Sequence, residues 1–232
     1  MDSKPEGTKM NNVKVNLMPL AIKNFSLQYE RVLTKRLSVA MGFRLMPNTG
    51  LPLQNTFLNL LASEEPDAVS TIANLKVSNM AITPELRLYL GKKGYGRGFY
   101  FAPYYRYASF KSSELPFNYQ NNMGETNTIK LNGKITTHTG GIMMGAQWFL
   151  GDYVSLDWWI GGLHFGANKG VFNGTASVPL TAEEQADLKA TIDGFELPVG
   201  TITSTVNAQG ATINLSGPWA GVRAGLSIGF RF

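Results

Sequence analysis

Residues 217–232 read GPWAGVRAGLSIGFRF, and successive side chains belong to different surfaces. Ala220, Val222, Ala224, Leu226, Ile228, Phe230 and Phe232 fall on one phase, and Trp219, Gly221, Arg223, Gly225, Ser227, Gly229 and Arg231 on the other. A β-strand has period two, so the phases are two faces of a sheet. One face is wholly apolar. The other is mostly glycine with two arginines, which is unlike a water-facing surface rich in Lys and Glu.

The same alternation recurs in residues 12–20, 24–33, 37–46, 79–90, 98–110, 137–150 and 153–166, giving eight candidate strands in all. A tilted strand needs about 9–11 residues to cross a bilayer, and these stretches meet that length. Tight connections fall at 34–36, 91–98 and 151–152, and long ones at about 47–77, 111–135 and 167–216. From the second strand on, short and long alternate. An even number of antiparallel strands with short turns at one end and long loops at the other is the plan of an outer-membrane barrel. The expected fold is therefore all-β, an eight-stranded antiparallel up-and-down transmembrane barrel over residues 11–232.

Composition agrees. Charged residues make up 16% of the chain against about 25% in soluble domains. No run of about 18 apolar residues exists, so no spanning helix is expected. MDSKPEGTKM (1–10) is a polar tail without the apolar core of a signal peptide, so an exported protein corresponds to a mature chain. With no cysteine, neither disulfides nor thiolate metal sites arise. The net charge of +5 is scattered, which argues against a nucleic-acid partner.

A soluble eight-stranded barrel is the structural alternative, with its oily face inside. The small residues of the mixed phase fit a narrow lumen better, and the bulky apolar phase fits lipid. Tyr29, Phe99, Trp148, Phe230 and Phe232 are expected near the periplasmic rim, and Tyr107, Phe110 and Trp219 near the outer rim. Pro84 and Pro103 fall mid-strand and are expected at bulges or kinks. In the last long loop, LTAEEQADLKATIDGF (180–195) carries a capping box at Thr181 and Glu184, which predicts a short helix. Residues 201–217 alternate around NAQG and predict a hairpin or a strand extension above the membrane. EEPDAVSTIANL (64–75) carries a weaker helical signal.

Lumen-phase charges are Lys14, Glu30, Arg44, Glu85, Arg87, Arg106, Asp157 and Arg223. Counted from the periplasmic ends, Lys14, Glu30, Glu85, Arg87 and Asp157 form a lower layer, and Arg44, Arg106 and Arg223 a higher one. Unpaired burial of any of them is costly, so a salt-bridge network plugging the lumen is expected. Five cations against three anions also suit a small anion arriving from outside. No catalytic residues are assigned. His138 and His164, at the outer ends of neighbouring strands, are expected as an interfacial pair on the lipid face, without a serine beside them. Glu183, Glu184 and Asp187 read as a solvated helix face, and GKKGYGRG (91–98) lacks the strand–loop–helix setting of a phosphate loop. No metal or cofactor is expected.

A last strand alternating to a terminal Phe, through Leu226, Ile228, Phe230 and Phe232, resembles the C-terminal insertion signal of bacterial outer-membrane proteins. VKVNLMPLAIKNFSLQYERVL (13–33), ITPELRLYLGKKGYGRGFYFAPYYRY (82–107), GAQWFLGDYVSLDWWIGG (145–162) and the C-terminal stretch together resemble a domain-of-unknown-function family of Bacteroidota outer-membrane barrels. The resemblance implies fold, cell outer-membrane location, contact with outer-membrane lipid and lipopolysaccharide, and insertion by the barrel-assembly machinery. It carries no activity. The expected role is structural or interactive, through extracellular loops. A narrow conduit or binder for small hydrophobic or anionic solutes is the alternative, and a lipid-modifying enzyme a further one.

Overall fold

Among the described residues the period-two phases become nine strands: β1 (Asn11–Asn16), β2 (Phe25–Val32), β3 (Leu37–Gly50), β4 (Lys76–Tyr89), β5 (Gly98–Gln120), β6 (Thr126–Leu150), β7 (Val154–Ala176), β8 (Thr201–Asn207) and β9 (Gly210–Arg231). A 3-10 helix, Met18–Ile22, joins β1 to β2, and an α-helix, α1 (Ala182–Asp193), lies between β7 and β8. The computed structural model describes residues 7–51, 75–120, 126–194 and 199–232, with backbone alone for 114–120 and 126–128. No described helix is long and apolar enough to cross a membrane.

All pairings are antiparallel and follow the order β1-β2-β3-β4-β5-β6-β7-β9, and β9 pairs back onto β1. The sheet thus closes into a ring of eight strands. Val13 faces Phe230 and Val15 faces Ile228 across the closing pair. β8 is the ninth strand. It runs along the far half of β9, with Val206 opposite Ala211.

The connections at 34–36, 91–98 and 151–152 are tight, and all fall at one end of the ring. In the second of these, Gly94 takes φ 61° directly against the Lys35 backbone, and Tyr95 N–H donates to Lys35 O at 2.8 Å. A side chain at Gly94 has no room there. The expected long loops are shorter than the sequence suggests. β5 and β6 run on as a hairpin to Gln120 and Thr126, and β7 reaches Ala176. In the β6 extension Ile129, Leu131 and Ile135 alternate with Lys130, Asn132 and Lys134, but this apolar phase faces inward, opposite to the outward row of Ile142, Met144 and Trp148, and the rest of the extensions is polar or mixed. The helical signal at 64–74 lies outside the described residues.

Pro84 and Pro103 do not sit in bulges. Ile82 pairs with Tyr107, Glu85 with Tyr104 and Leu88 with Phe101 in one unbroken register, and the pairing only lapses between them. Each proline removes a donor locally without slipping the strands. The register shifts occur elsewhere, including β7 between Trp159 and Gly162.

The two phases sort as two surfaces. Leu27, Phe43, Leu88, Phe101, Ile142 and Leu163 point outward and are exposed, whereas Lys14, Glu30, Arg87 and Asp157 point inward and are at most 1% exposed. Farther from the tight turns the inward face changes character. There Ile129, Leu131, Ala176, Ala211 and Ile213 form an apolar cluster with Ile202 and Val206 of β8 and Leu188 and Ile192 of α1. The helix lies on the inward face of the extended sheet and covers it. Its start is fixed by the capping box: Glu184 N–H donates to Thr181 Oγ1 at 3.3 Å, and Thr181 N–H to Glu184 Oε2 at 2.8 Å.

Candidate functional site

All eight sequence-assigned charges point into the ring, and they divide by height. The lower group is saturated. Asp157 accepts from Lys14 Nζ, Arg87 Nη1 and Tyr100 Oη, each at 2.7 Å, and from Trp159 Nε1 at 3.2 Å. Glu30 accepts from Lys14, Ser38, Tyr89 at 2.7 Å and Arg87 at 3.3 Å. Glu85 accepts from Arg87 at 3.0 Å and Gln28 at 3.1 Å. The Arg87 guanidinium lies 4.5 Å from the Tyr100 ring centroid. Every charge has opposite charge beside it and hydrogen bonds on its remaining atoms, the condition under which buried ions are tolerated.

Register explains why these residues meet. Glu30 pairs with Ala40, and Ala40 with Glu85, so one small residue separates two carboxylates across β2, β3 and β4. Ser38 lies opposite Arg87, and Gly229 separates Lys14 from Ser155. Small side chains on β3 and β9 leave the space that long ionic side chains from β1, β2, β4 and β7 fill. A narrow ring of eight strands requires this alternation of small and large.

Above the network the balance changes. Arg223 Nη2 donates to Glu85 at 3.1 Å, and its guanidinium lies 4.6 Å from the Tyr104 ring and 4.9 Å from Trp159. Arg106 donates to Thr83 Oγ1 at 3.1 Å. Arg44, Arg106 and Arg223 all line one cavity of about 100 Å³, with Ser26, Thr83 and Asn16 around them. Arg44 Nε and Arg223 Nη1 are buried without a hydrogen-bond partner. Arg44 also lines a second cavity of about 380 Å³, walled by Met46, Val77, Phe110, Ile135 and Phe172. The interior is therefore layered: an ion-pair network, then three arginines, then an apolar chamber, then the cluster under α1.

A family model described as a protein of unknown function (DUF3575) matches residues 3–177. The chain belongs to the DUF3575 family. In this DUF3575 protein the matched span ends one residue past β7, so it holds Lys14, Glu30, Arg44, Glu85, Arg87, Arg106 and Asp157 but not Arg223 on β9. No curated protein matches the chain.

Three expectations are corrected. His138 and His164 are not partners: His138 lies opposite Ala167, and His164 opposite Gly141. They also occupy opposite faces. His138 is outward and shares a hydrogen bond with Tyr105 Oη at 2.5 Å, whereas His164 is inward, 6.3 Å from the Tyr104 ring. The shift in β7 between Trp159 and Gly162 inverts the phase of everything after it, and the Gly161-Gly162 pair is the sequence signal for it. Phe110 and Trp219 do not belong to an outer girdle. They face inward and meet across the ring with centroids 5.6 Å apart.

The aromatic residues expected near the other rim fall as their phase dictates. Tyr29, Phe99, Trp148, Phe230 and Phe232 are outward and exposed near the tight-turn end, and the Phe230 and Phe232 rings stack at 6.3 Å. Leu226 and Ile228 continue that outward row. Sequence reasoning missed Tyr104, Trp159, Thr83 and Ser26 as lining of the arginine layer. Their phase was readable, but their height against the arginines depends on strand register.

Proposed function

We propose that this DUF3575 protein is an integral β-barrel of a bacterial outer membrane, of a Bacteroidota species by the resemblance above. Its ring is plugged by charge at the periplasmic end, and it acts through the sheet extension and α1 outside. The observation that carries this reading is the inverted sorting of side chains: exposed Leu, Phe and Ile around the wall, and Lys14, Glu30, Arg87 and Asp157 sealed at the axis. Hydrocarbon favours that outward surface and demands a closed sheet, because unpaired backbone groups are costly there. A water-soluble ring would carry the opposite arrangement. The tight turns then lie in the periplasm and β8, α1 and the long hairpins outside. Outer-membrane lipid and lipopolysaccharide contact the wall, and the assembly machinery reads the Leu226, Ile228, Phe230 and Phe232 row.

The saturated network favours a plugged ring over an open pore. The test has two parts. Outer-membrane fractionation with heat-modifiable gel mobility is expected to find the protein folded in that membrane; recovery in the soluble periplasm overturns the reading. Planar bilayers are expected to show no steady conductance, and stable openings argue for a conduit instead.

The three arginines favour a second role, as a binder of a small anionic molecule. The paired-histidine route to lipid hydrolysis loses its geometric basis, because the two imidazoles lie on opposite faces of the wall.

A further inference from the structure

Among the described residues the wall of the ring has a break. Along one edge β9 pairs with β8 through residues 210–216 and with β1 through 227–231, and Leu226 O accepts from Leu17 N–H at 2.8 Å. Between these, residues 217–225 pair with no described strand on that side. The facing bank is β3, whose residues 46–50 run past the start of β2, where Phe25 pairs with Leu45. The foot of the break is the 3-10 helix Met18–Ile22, seated between β2 and β9 and closed by Lys23 at φ 56°. Val222 stands on the free edge and is 78% exposed, more than any other large apolar side chain described.

Under the outer-membrane reading this edge lies in hydrocarbon. A crossing strand takes about 9–11 residues, so counting up β9 from Phe230 places Val222 and Ala224 within the apolar layer. Irregular or unpaired backbone at that depth is tolerated only where protein covers it or where it lines a cavity. A cavity is present. The space of about 100 Å³ among the arginines is lined both by inward Arg44, Arg106 and Arg223 and by outward Phe43, Val222 and Ala224. Pro19 of the 3-10 helix and Val222 and Ala224 of the unpaired edge border that cavity, so it lies directly against the break.

We infer that Arg44, Arg106 and Arg223 hold the head of an anionic single-chain amphiphile, a carboxylate or phosphate monoester on one alkyl chain, which reaches them sideways from the bilayer through this break. The inference rests on the outer-membrane reading. It names the ligand class of the binding role and replaces an approach from outside with one through the wall.

The chemistry of the head follows from the charge. Three guanidinium groups share the layer, and one carboxylate, Glu85, meets Arg223 while also serving Arg87 and Gln28. Arg223 is 10% exposed and Arg106 9%, and Arg44 Nε and Arg223 Nη1 have no acceptor. Buried donors of this kind are costly unless matched, and a guanidinium fork fits carboxylate or phosphate oxygens. The tail follows from the neighbouring space. Arg44 borders both cavities, and the larger, of about 380 Å³, is walled by Met46, Val77, Phe110, Ile135 and Phe172. Small-molecule sites run from about 300 to 1,000 Å³. A free inorganic anion leaves that chamber empty, and a neutral alcohol leaves the arginines unmatched. Below, the saturated network bars passage to the periplasm.

The test uses the full chain in non-ionic detergent and in vesicles, with folding checked by heat-modifiable mobility. Native mass spectrometry and calorimetry compare dodecanoate, dodecyl phosphate, inorganic phosphate, dodecanol and dodecyltrimethylammonium. Dodecanoate and dodecyl phosphate are expected to bind one per chain, about tenfold or more tighter than dodecanol, and Arg44→Gln and Arg106→Gln each to weaken them about tenfold. Equal binding of dodecanol, or inorganic phosphate binding as tightly as dodecyl phosphate, overturns the ligand class. Ala220→Trp, on the same edge of β9 but in the lining of neither cavity, crowds the break and is expected to slow loading of dodecanoate from vesicles while leaving affinity in detergent unchanged. Unchanged loading overturns the lateral route. Membrane-inserted protein that binds none of these probes defeats this inference alone, whereas protein absent from the membrane fraction defeats the reading beneath it.

Discussion

Arg87 Nη1 donates to Asp157 Oδ2 at 2.7 Å, and the two residues come from β4 and β7, which are not neighbours in the sheet. The pair spans the interior and ties opposite walls together. Lys14 and Tyr100 reach the same carboxylate from two further strands. Asp157→Ala leaves Arg87 and Lys14 with part of their counter-charge missing. Its expected cost is about 3–5 kcal/mol, the range for breaking a buried ion pair from one side. Urea unfolding in detergent, followed by tryptophan fluorescence, measures it, and a loss within experimental scatter contradicts a structural role for the network.

Gly145 lies under the Tyr100 ring. A Cβ built there meets Tyr100 Cζ and Oη at 2.4 Å and Trp158 O at 2.8 Å. Tyr100 cannot swing aside without giving up Asp157. Gly145→Ala is therefore expected to destabilise by about 1–3 kcal/mol through overpacking, in the same unfolding assay. Gly161, with nothing near its built Cβ, is the control and is expected to accept alanine with little change.

At the other end, Thr181→Ala removes the acceptor for Glu184 N–H. The expected loss is about 1 kcal/mol, confined to α1. Hydrogen exchange reads it as faster opening of the first turn of the helix, with protection of β1–β7 unchanged.

The contact between α1 and β8 carries a pH dependence. Asp193 accepts from Lys189 Nζ and from Ser204 Oγ, each at 2.6 Å, and these bonds hold its carboxyl below the ordinary aspartate value of 3.8. A carboxyl lowered in the folded state contributes stability that is present above its unfolded value and lost as pH falls through the folded one. Protection at α1 and β8, taken relative to the intrinsic exchange rate at each pH, is therefore expected to be flat above about pH 5 and to fall below the ordinary aspartate range. In Asp193→Asn that acid limb is expected to flatten.

Under the proposed outer-membrane role, Phe232 separates insertion from stability. Its backbone exchanges hydrogen bonds with Asn11 at 3.0 and 3.1 Å, while its side chain is 51% exposed. Phe232→Ala keeps the backbone pairing, so refolded protein is expected to stay within about 0.5 kcal/mol of the parent. Recovery in the outer membrane of cells is expected to fall, as judged by immunoblot of membrane fractions. Equal recovery removes the assembly role of that ring.

The wall was legible in the sequence because its signal is local. Lys14 and Val15, or Asp157 and Trp158, declare their faces by parity alone, and every charged residue assigned to the interior is found there. Parity failed where the count of residues per repeat failed. One shift in β7 turned His164 from the outward face to the arginine layer. Strand length was hidden for a different reason. Beyond the outward apolar row, Ile129 and Leu131 of β6 carry the apolar phase on the inward face instead, and polar pairs such as Asn118 opposite Thr128 leave no hydropathy rhythm. The meeting of Arg44, Arg106 and Arg223 depends on register across β3, β5 and β9, a non-local quantity.

The pairing of β1 with β9 also has a kinetic meaning. The Asn11 side chain and Phe232 O are joined across a separation of 221 residues, nearly the full length of the chain. Bringing such distant segments together carries the largest loop-closure entropy in the molecule and yields no bond until it is done. Hairpins can form early and cheaply, whereas the final seam is an all-or-none event. A seam variant is thus expected to leave spectroscopic strand content intact while the population of finished molecules accumulates slowly.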